Sequence, residues 1–219
     1  MSNKQSGGTR YKSSHGNAGS GGGNDVMDLA KNEYYEYTHG GNIDGERSGK
    51  YEHMDILFEK NRLKNNVTLY RGGSEEEIDS MVKQAGAKSY YGLEGKEFVN
   101  KQYRSTSGQE TDAVNYADSN VEFHVNYDDA EVADYSGSRD DLIQSLPRKH
   151  RPAVFVFHAH KGAKVIKRSD FTDTSGFGAG DEYTIGRGSK FKIRECTEDR
   201  YDDRMGDGYY MKTIHIDVY

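Results

Sequence analysis

This chain has one cysteine, two prolines, fewer basic than acidic residues and no long apolar run. Each shortage excludes something. Cys196 has no second cysteine to pair with, so there is no internal disulfide and nothing implies export to an oxidising compartment. No apolar stretch approaches the roughly 18 residues of a membrane-spanning helix, so no membrane partner is expected. The N-terminal segment lacks the apolar core of a signal peptide, and the expectation is a protein made in a reducing cytoplasm, with delivery into a host or target cell left open. Lys and Arg number 30 against 36 Asp and Glu, a formal charge of −6. Duplex nucleic acid is held by clustered cations that neutralise phosphate, so bulk charge argues against that function and leaves only a local basic cleft. Hydrophobic residues are 33% of the 219, but 17 Tyr and 8 Phe each bury a large area, which suffices for a core.

What is present is ordered along the chain. Residues 1–24 are mostly Gly, Ser, Asn and Lys, cannot offset their ordering entropy, and are predicted to be a disordered tail. Residues 25–219 are expected to be one domain. Asn24-Asp25 can cap a helix to Tyr37, with Val26, Leu29, Ala30, Tyr34 and Tyr37 near one face. A second helix is predicted from about Tyr51 to Leu63, a third from Ser74-Glu75-Glu76-Glu77, and a fourth over Glu110 to Asp118. Residues 119–150 read as an acidic insertion, in which the alternation of Val121, Phe123 and Val125 allows a strand. At its end, between Pro147 and Pro152, Arg148-Lys149-His150-Arg151 reads as a solvated loop or as a contact for phosphate or a partner. Ala153 to Ala159 reads as a buried central strand, with Ala163–Ile166, Phe191–Thr197 and Tyr209–Val218 as further strands. His158 and His160 share a strand face, but two histidines without a third ligand at suitable spacing make no metal site, and no metal is expected.

Three stretches carry chemistry. Val67 to Tyr70 alternates as a strand and ends at Arg71-Gly72-Gly73. A guanidinium at a strand end can grip phosphate bidentately, and the glycines allow close backbone approach. Arg104 precedes Ser105-Thr106-Ser107, three small hydroxyl residues before a glycine. The third stretch runs from Phe177 to Phe191: a glycine-rich run, then Asp181-Glu182, a short strand, and a Gly-Arg-Gly turn. A carboxylate where a mobile loop meets a strand can admit a substrate and still be held fixed. Strand alternation points Asp181 and Glu182 to opposite faces, which argues against a glycosidase with two facing acids.

Taken in order, Leu69-Tyr70-Arg71-Gly72, Ser105-Thr106-Ser107 and Glu182 resemble the R-S-E class of mono-ADP-ribosyltransferases, which includes clostridial C3-like exoenzymes, binary toxins and phage transferases. Phe155-Val156-Phe157 with Lys161-Gly162-Ala163 is similar to that class's strand and K-G turn, and Tyr37-Thr38 falls where it has a Tyr-Thr or Tyr-Ser pair. The resemblance implies an α+β fold of two packed, mainly antiparallel sheets with flanking helices around a central NAD cleft. It implies NAD as co-substrate, with Arg71 on the pyrophosphate, Gly72 receiving the nicotinamide amide, Ser105 orienting Glu182 by a hydrogen bond, Thr106 and Ser107 contacting the ligand, and Glu182 stabilising the sugar cation. Phe177 and Gly180 would meet the acceptor.

One departure matters. Members of the class usually carry Glu or Gln two residues before the catalytic acid, and this chain has Gly180. With no side chain there to steer an acceptor, arginine modification is disfavoured and water gains ground. The reading is an NAD-dependent transferase, a toxin, effector or phage protein, that passes ADP-ribose to a macromolecule, protein rather than RNA or other nucleic acid. A neutralising partner protein is conceivable for such a toxin. The alternatives are an NAD glycohydrolase toxin of the same fold, and a non-enzymatic binding or virion module with a decayed site.

Overall fold

A computed structural model describes residues 22–39, 49–127, 139–172, 181–201 and 209–219. Five helices are described: α1 (Gly22–Thr38), α2 (Met54–Lys60), α3 (Glu75–Gln84), α4 (Glu110–Tyr127) and α5 (Arg139–Ser145). Of the tail expected over 1–24, residues 1–21 lie outside the described residues, and Gly22 to Asn24 already belong to α1. No helix among the described residues is long and apolar enough to cross a membrane.

Eight strands, β1 (Val67–Ser74), β2 (Glu97–Val99), β3 (Arg104–Ser107), β4 (Pro152–Ala159), β5 (Val165–Lys167), β6 (Glu182–Ile185), β7 (Lys190–Tyr201) and β8 (Tyr209–Val218), form one sheet in the order β2-β7-β8-β4-β1-β3-β6-β5. Its pairings are antiparallel except β4 with β8. The two sheets expected from the sequence are two limbs of this single sheet. They meet between β1 and β3 at one registered pair, Tyr70 opposite Ser107, whereas β1 and β4 pair along their whole length.

Side-chain alternation explains the layers. Leu69, Phe155, Phe157, Ile214 and Ile216 face one side of the large limb, where Ile78 and Met81 of α3 and Leu93 cover them. Val154, Val156 and Met211 face the other side, against Ala117 of α4 and Ile143 and Leu146 near α5. With both faces covered, β4 is apolar along almost its whole length. The small limb is closed by Ala30 and Tyr34 of α1 and Met54, Leu57 and Phe58 of α2, packed with Tyr103 and Ile166.

Several expectations are corrected. Leu29 is 46% exposed, because the inward stripe of α1 centres on Ala30 and Tyr34 and Leu29 lies about 100° round from Ala30. Val121, Phe123 and Val125 belong to helix α4, not to a strand. Ala113, Ala117, Val121 and Val125 recur every fourth residue, a helical spacing that the local alternation hides. The basic cluster is not a free loop. Glu75, 3% exposed at the start of α3, takes Lys212 at 2.7 Å, Arg148 at 2.9 Å and Arg151 at 3.9 Å. Arg148 also pairs with Asp79 at 2.5 Å. These cations tie α3 to β8 and to the segment before β4. His158 and His160 find separate partners, His215 at 3.3 Å and Asp217 at 2.9 Å.

Cys196 is buried on β7, and burial pushes its thiol up to about 12, with Glu94 and Glu195 adding to the effect. The thiolate is the reactive form. Native protein at neutral pH is therefore expected to resist an aromatic disulfide reagent over the period in which urea-unfolded protein reacts fully. Release of the coloured thiolate checks this, and complete labelling of the native protein would contradict it.

Candidate active site

Three strands assemble the site from residues far apart in the chain. β1 supplies Arg71 and Gly72, β3 is the run Arg104–Ser107, and β6 opens on Glu182. Register sets Tyr70 opposite Ser107 and Ser107 opposite Glu182. Where β1 and β3 part, a cleft of about 840 Å³ opens, lined by Arg71, Gly72, Ser105, Thr106, Ser107 and Glu182. Its size falls in the range of roughly 300–1,000 Å³ typical of ligand sites. Tyr37, Tyr70, Tyr103 and Tyr116 add aromatic wall. Phe177 and Gly180 lie outside the described residues.

One end of the cleft is cationic. Arg71 donates through Nη1 to the Ser105 carbonyl at 3.1 Å, and its Nη2 stands 3.6 Å from Glu77. Its Nε is buried and has no hydrogen-bond partner among the described residues. Arg104 donates to Asn100 at 3.1 Å and to Glu77 at 3.2 Å. Burial, then the nearby Arg71 charge, weakens Arg104's hold on its proton, and Glu77 opposes this. Two guanidiniums thus share one carboxylate. The orphaned Arg71 donor fits a phosphate-bearing ligand. The sequence shows Arg104 only as a basic residue and Glu77 only as an acid in a first helical turn. Their roles depend on β3 lying beside the start of α3, which no local pattern signals.

The other end is acidic. Arg168 pairs through Nη1 with Glu182 Oε2. No local pattern in the sequence signals the pairing, because Arg168 and Glu182 lie on different elements. Asp181 is turned elsewhere: Lys167 meets its carboxylate at 3.2 Å, Gln109 at 3.3 Å, and Gly108 N donates to its carbonyl at 2.8 Å. This agrees with the alternation that separates Asp181 from Glu182.

The hydroxyls divide their work. Ser107 Oγ accepts from Gln109 N at 3.0 Å and donates to Asp112 at 2.7 Å, which fixes the start of α4. Thr106 Oγ1 donates to the Tyr183 carbonyl at 3.1 Å, across to β6. No hydrogen bond joins Ser105 to Glu182 among the described residues; Ser105 is registered with Thr184, and its carbonyl holds Arg71. Gly72 sits where β1 passes so close to α4 that a Cβ would lie 2.1 Å from the Ala113 carbonyl oxygen.

With this geometry in view, the chain can be set beside known proteins. A family model described as ADP-ribosyltransferase exoenzyme matches residues 30–208. Among solved structures, the chain is similar to a C3-type ADP-ribosyltransferase of Clostridium botulinum, with a TM-score of 0.51 and 14% identity over 90% of this chain and 92% of that one. It is similar also to the enzymatic component of the C2-toxin of Clostridium botulinum, with a TM-score of 0.51 and 13% identity over 90% of this chain but 46% of that one. At such identities the structural likeness speaks to the fold. No curated protein matches the sequence significantly.

Proposed function

The chain belongs to the ADP-ribosyltransferase exoenzyme family, toxins that use NAD as substrate, and from that premise we propose that Glu182, Arg71 and the Ser105–Ser107 strand cleave the nicotinamide–ribose bond of NAD and pass the ADP-ribose unit to a protein. The observation that carries the proposal is the meeting of those residues, 111 positions apart between Arg71 and Glu182, on one cleft.

The division of charge suits the chemistry. Arg71, with its unpartnered Nε, would hold the pyrophosphate at the cationic end. Glu182 would lie near the ribose. As the glycosidic bond breaks, nicotinamide leaves as a neutral molecule with the bonding electron pair and positive charge develops on the sugar. A fixed carboxylate attracts that charge more strongly in the transition state than in the ground state, and so lowers the barrier. Glu182 can also accept a hydrogen bond from a ribose hydroxyl. The acceptor then bonds to the anomeric carbon and its proton passes to solvent. Tyr70 and Tyr116 offer ring faces for the flat parts of a dinucleotide. Gly72 would bring backbone close to the nicotinamide amide, and Phe177 would meet the acceptor.

Water as acceptor is a second reading, because Gly180 supplies no steering side chain. One experiment separates the two. NAD labelled on the adenylate phosphate is incubated with the purified protein and a cell extract, and products are sorted into protein, nucleic-acid and small-molecule fractions. Label on protein is the expected result. Free labelled ADP-ribose alone would assign hydrolysis, and unconsumed NAD would remove both readings.

A further inference from the structure

The geometry points to Arg168 as the positioning residue of Glu182, the part that the sequence reading gives to Ser105. We propose that the ion pair fixes one carboxylate oxygen so that the other meets the substrate. This rests on the proposed role of Glu182 in cleaving NAD.

Three observations carry it. The first is selectivity of contact. Arg168 Nη1 meets only Oε2, and Oε1 has no hydrogen bond among the described residues although Glu182 lines the cleft. A carboxylate held at one oxygen keeps the other available in a set direction. Arg168 is not among the residues lining the cleft, so it acts through Glu182.

The second is that Arg168 is itself held. Its side chain is only 13% exposed. Its Nη2 lies 3.0 Å from His39 Nε2. His39 Nδ1 lies 2.8 Å from the Tyr35 carbonyl oxygen, which can only accept, so Nδ1 carries the proton and Nε2 accepts from Arg168. The imidazole stacks on the Tyr35 ring with centroids 4.0 Å apart, which fixes it at the end of α1.

The third is the backbone. Lys167, at the end of β5, is registered with Tyr183 of β6. The main chain on each side of the ion pair is therefore tied in the same sheet, one residue from Arg168 and one from Glu182. The Arg168 carbonyl accepts from Phe171 N and Thr172 N, both at 3.1 Å, closing a tight turn. A guanidinium fixed by strand, turn and imidazole can impose an orientation on the acid, whereas a surface pair would follow it.

The test measures nicotinamide release from NAD by wild type, E182Q, R168Q and R168K, with the thermal midpoint of each. R168Q is expected to lower kcat about 10- to 100-fold with KM for NAD within about threefold, the pattern of a displaced transition-state contact. R168K keeps one donor and the charge, and is expected to recover kcat to within about fivefold of wild type. Wild-type kcat in R168Q, a loss carried by KM alone, or an R168K no better than R168Q would each overturn the proposal. Should R168Q not fold, His39→Ala takes its place, with an expected fall in kcat of about three- to tenfold at unchanged KM; unchanged kcat there overturns the proposal equally. The two layers fail differently. A wild type as inactive as E182Q removes the functional reading and this proposal with it. An active wild type, an inactive E182Q and an R168Q equal to wild type remove the Arg168 proposal alone.

Discussion

Glu182→Gln is expected to slow nicotinamide release by about 100- to 1,000-fold while the protein stays folded. The substitution keeps size and leaves an amide oxygen that can still accept from Arg168, so position is preserved and charge removed. The whole effect then falls on the transition state, where a cation forms on the sugar with no anion beside it. A thousandfold loss corresponds to about 4 kcal/mol of barrier. Glu182 is a partly exposed residue at the start of a four-residue strand, so its neutral replacement leaves the packed layers untouched. The measurements are kcat and KM for NAD, with circular dichroism and the thermal midpoint as controls. A kcat equal to that of an active wild type would remove Glu182 from the chemistry, and no nicotinamide release from either protein would leave the non-enzymatic binding module as the surviving alternative.

Gly72→Ala is expected to damage the fold itself. A Cβ there would stand 2.1 Å from the Ala113 carbonyl oxygen and 2.7 Å from the Ala117 amide nitrogen, both backbone atoms of α4. Neither can swing aside as a side chain can, so β1 and α4 must separate. Overpacking of this kind costs about 3 kcal/mol at the upper end of its usual range. For a chain of this length that lowers the thermal midpoint by about 6–12 °C. Gly92→Ala is the control: its Cβ would meet the Ser89 hydroxyl at 3.3 Å and Ala87 Cβ at 3.9 Å, and a shift under about 2 °C is expected. Thermal unfolding followed by circular dichroism checks both, and a G72A midpoint equal to wild type would show that β1 and α4 separate at little cost. Gly72 thus has a steric reason to be glycine that is independent of any contact with nicotinamide.

The sequence discloses some of this and hides the rest for identifiable reasons. β4 is legible because a strand covered on both faces is apolar almost throughout, and β8 because Asp207-Gly208 precede the run Tyr209 to Val218. Arg71, the Ser105–Ser107 run and Glu182 are legible only as an ordered set that resembles a family; their spacing alone does not bring them together. Glu77 and Arg168 escape because each is one charge among many, and its partner lies on another element. Arg148 and Arg151 mislead for the converse reason: a run of charges looks solvated until Glu75 is found beneath it. Whether the strands make one layer or two depends on how far β1 and β3 splay after Tyr70, a three-dimensional fact with no local signature.

The lone rung between Tyr70 and Ser107 has a mechanical consequence. A molecule reaching from Arg71 to Glu182 acts as a brace across a seam that the backbone leaves almost unstitched. By linkage, a ligand that binds across that seam only in the folded protein would stabilise the eight-stranded layer, and the ADP-ribose part of NAD would still span it once nicotinamide had left.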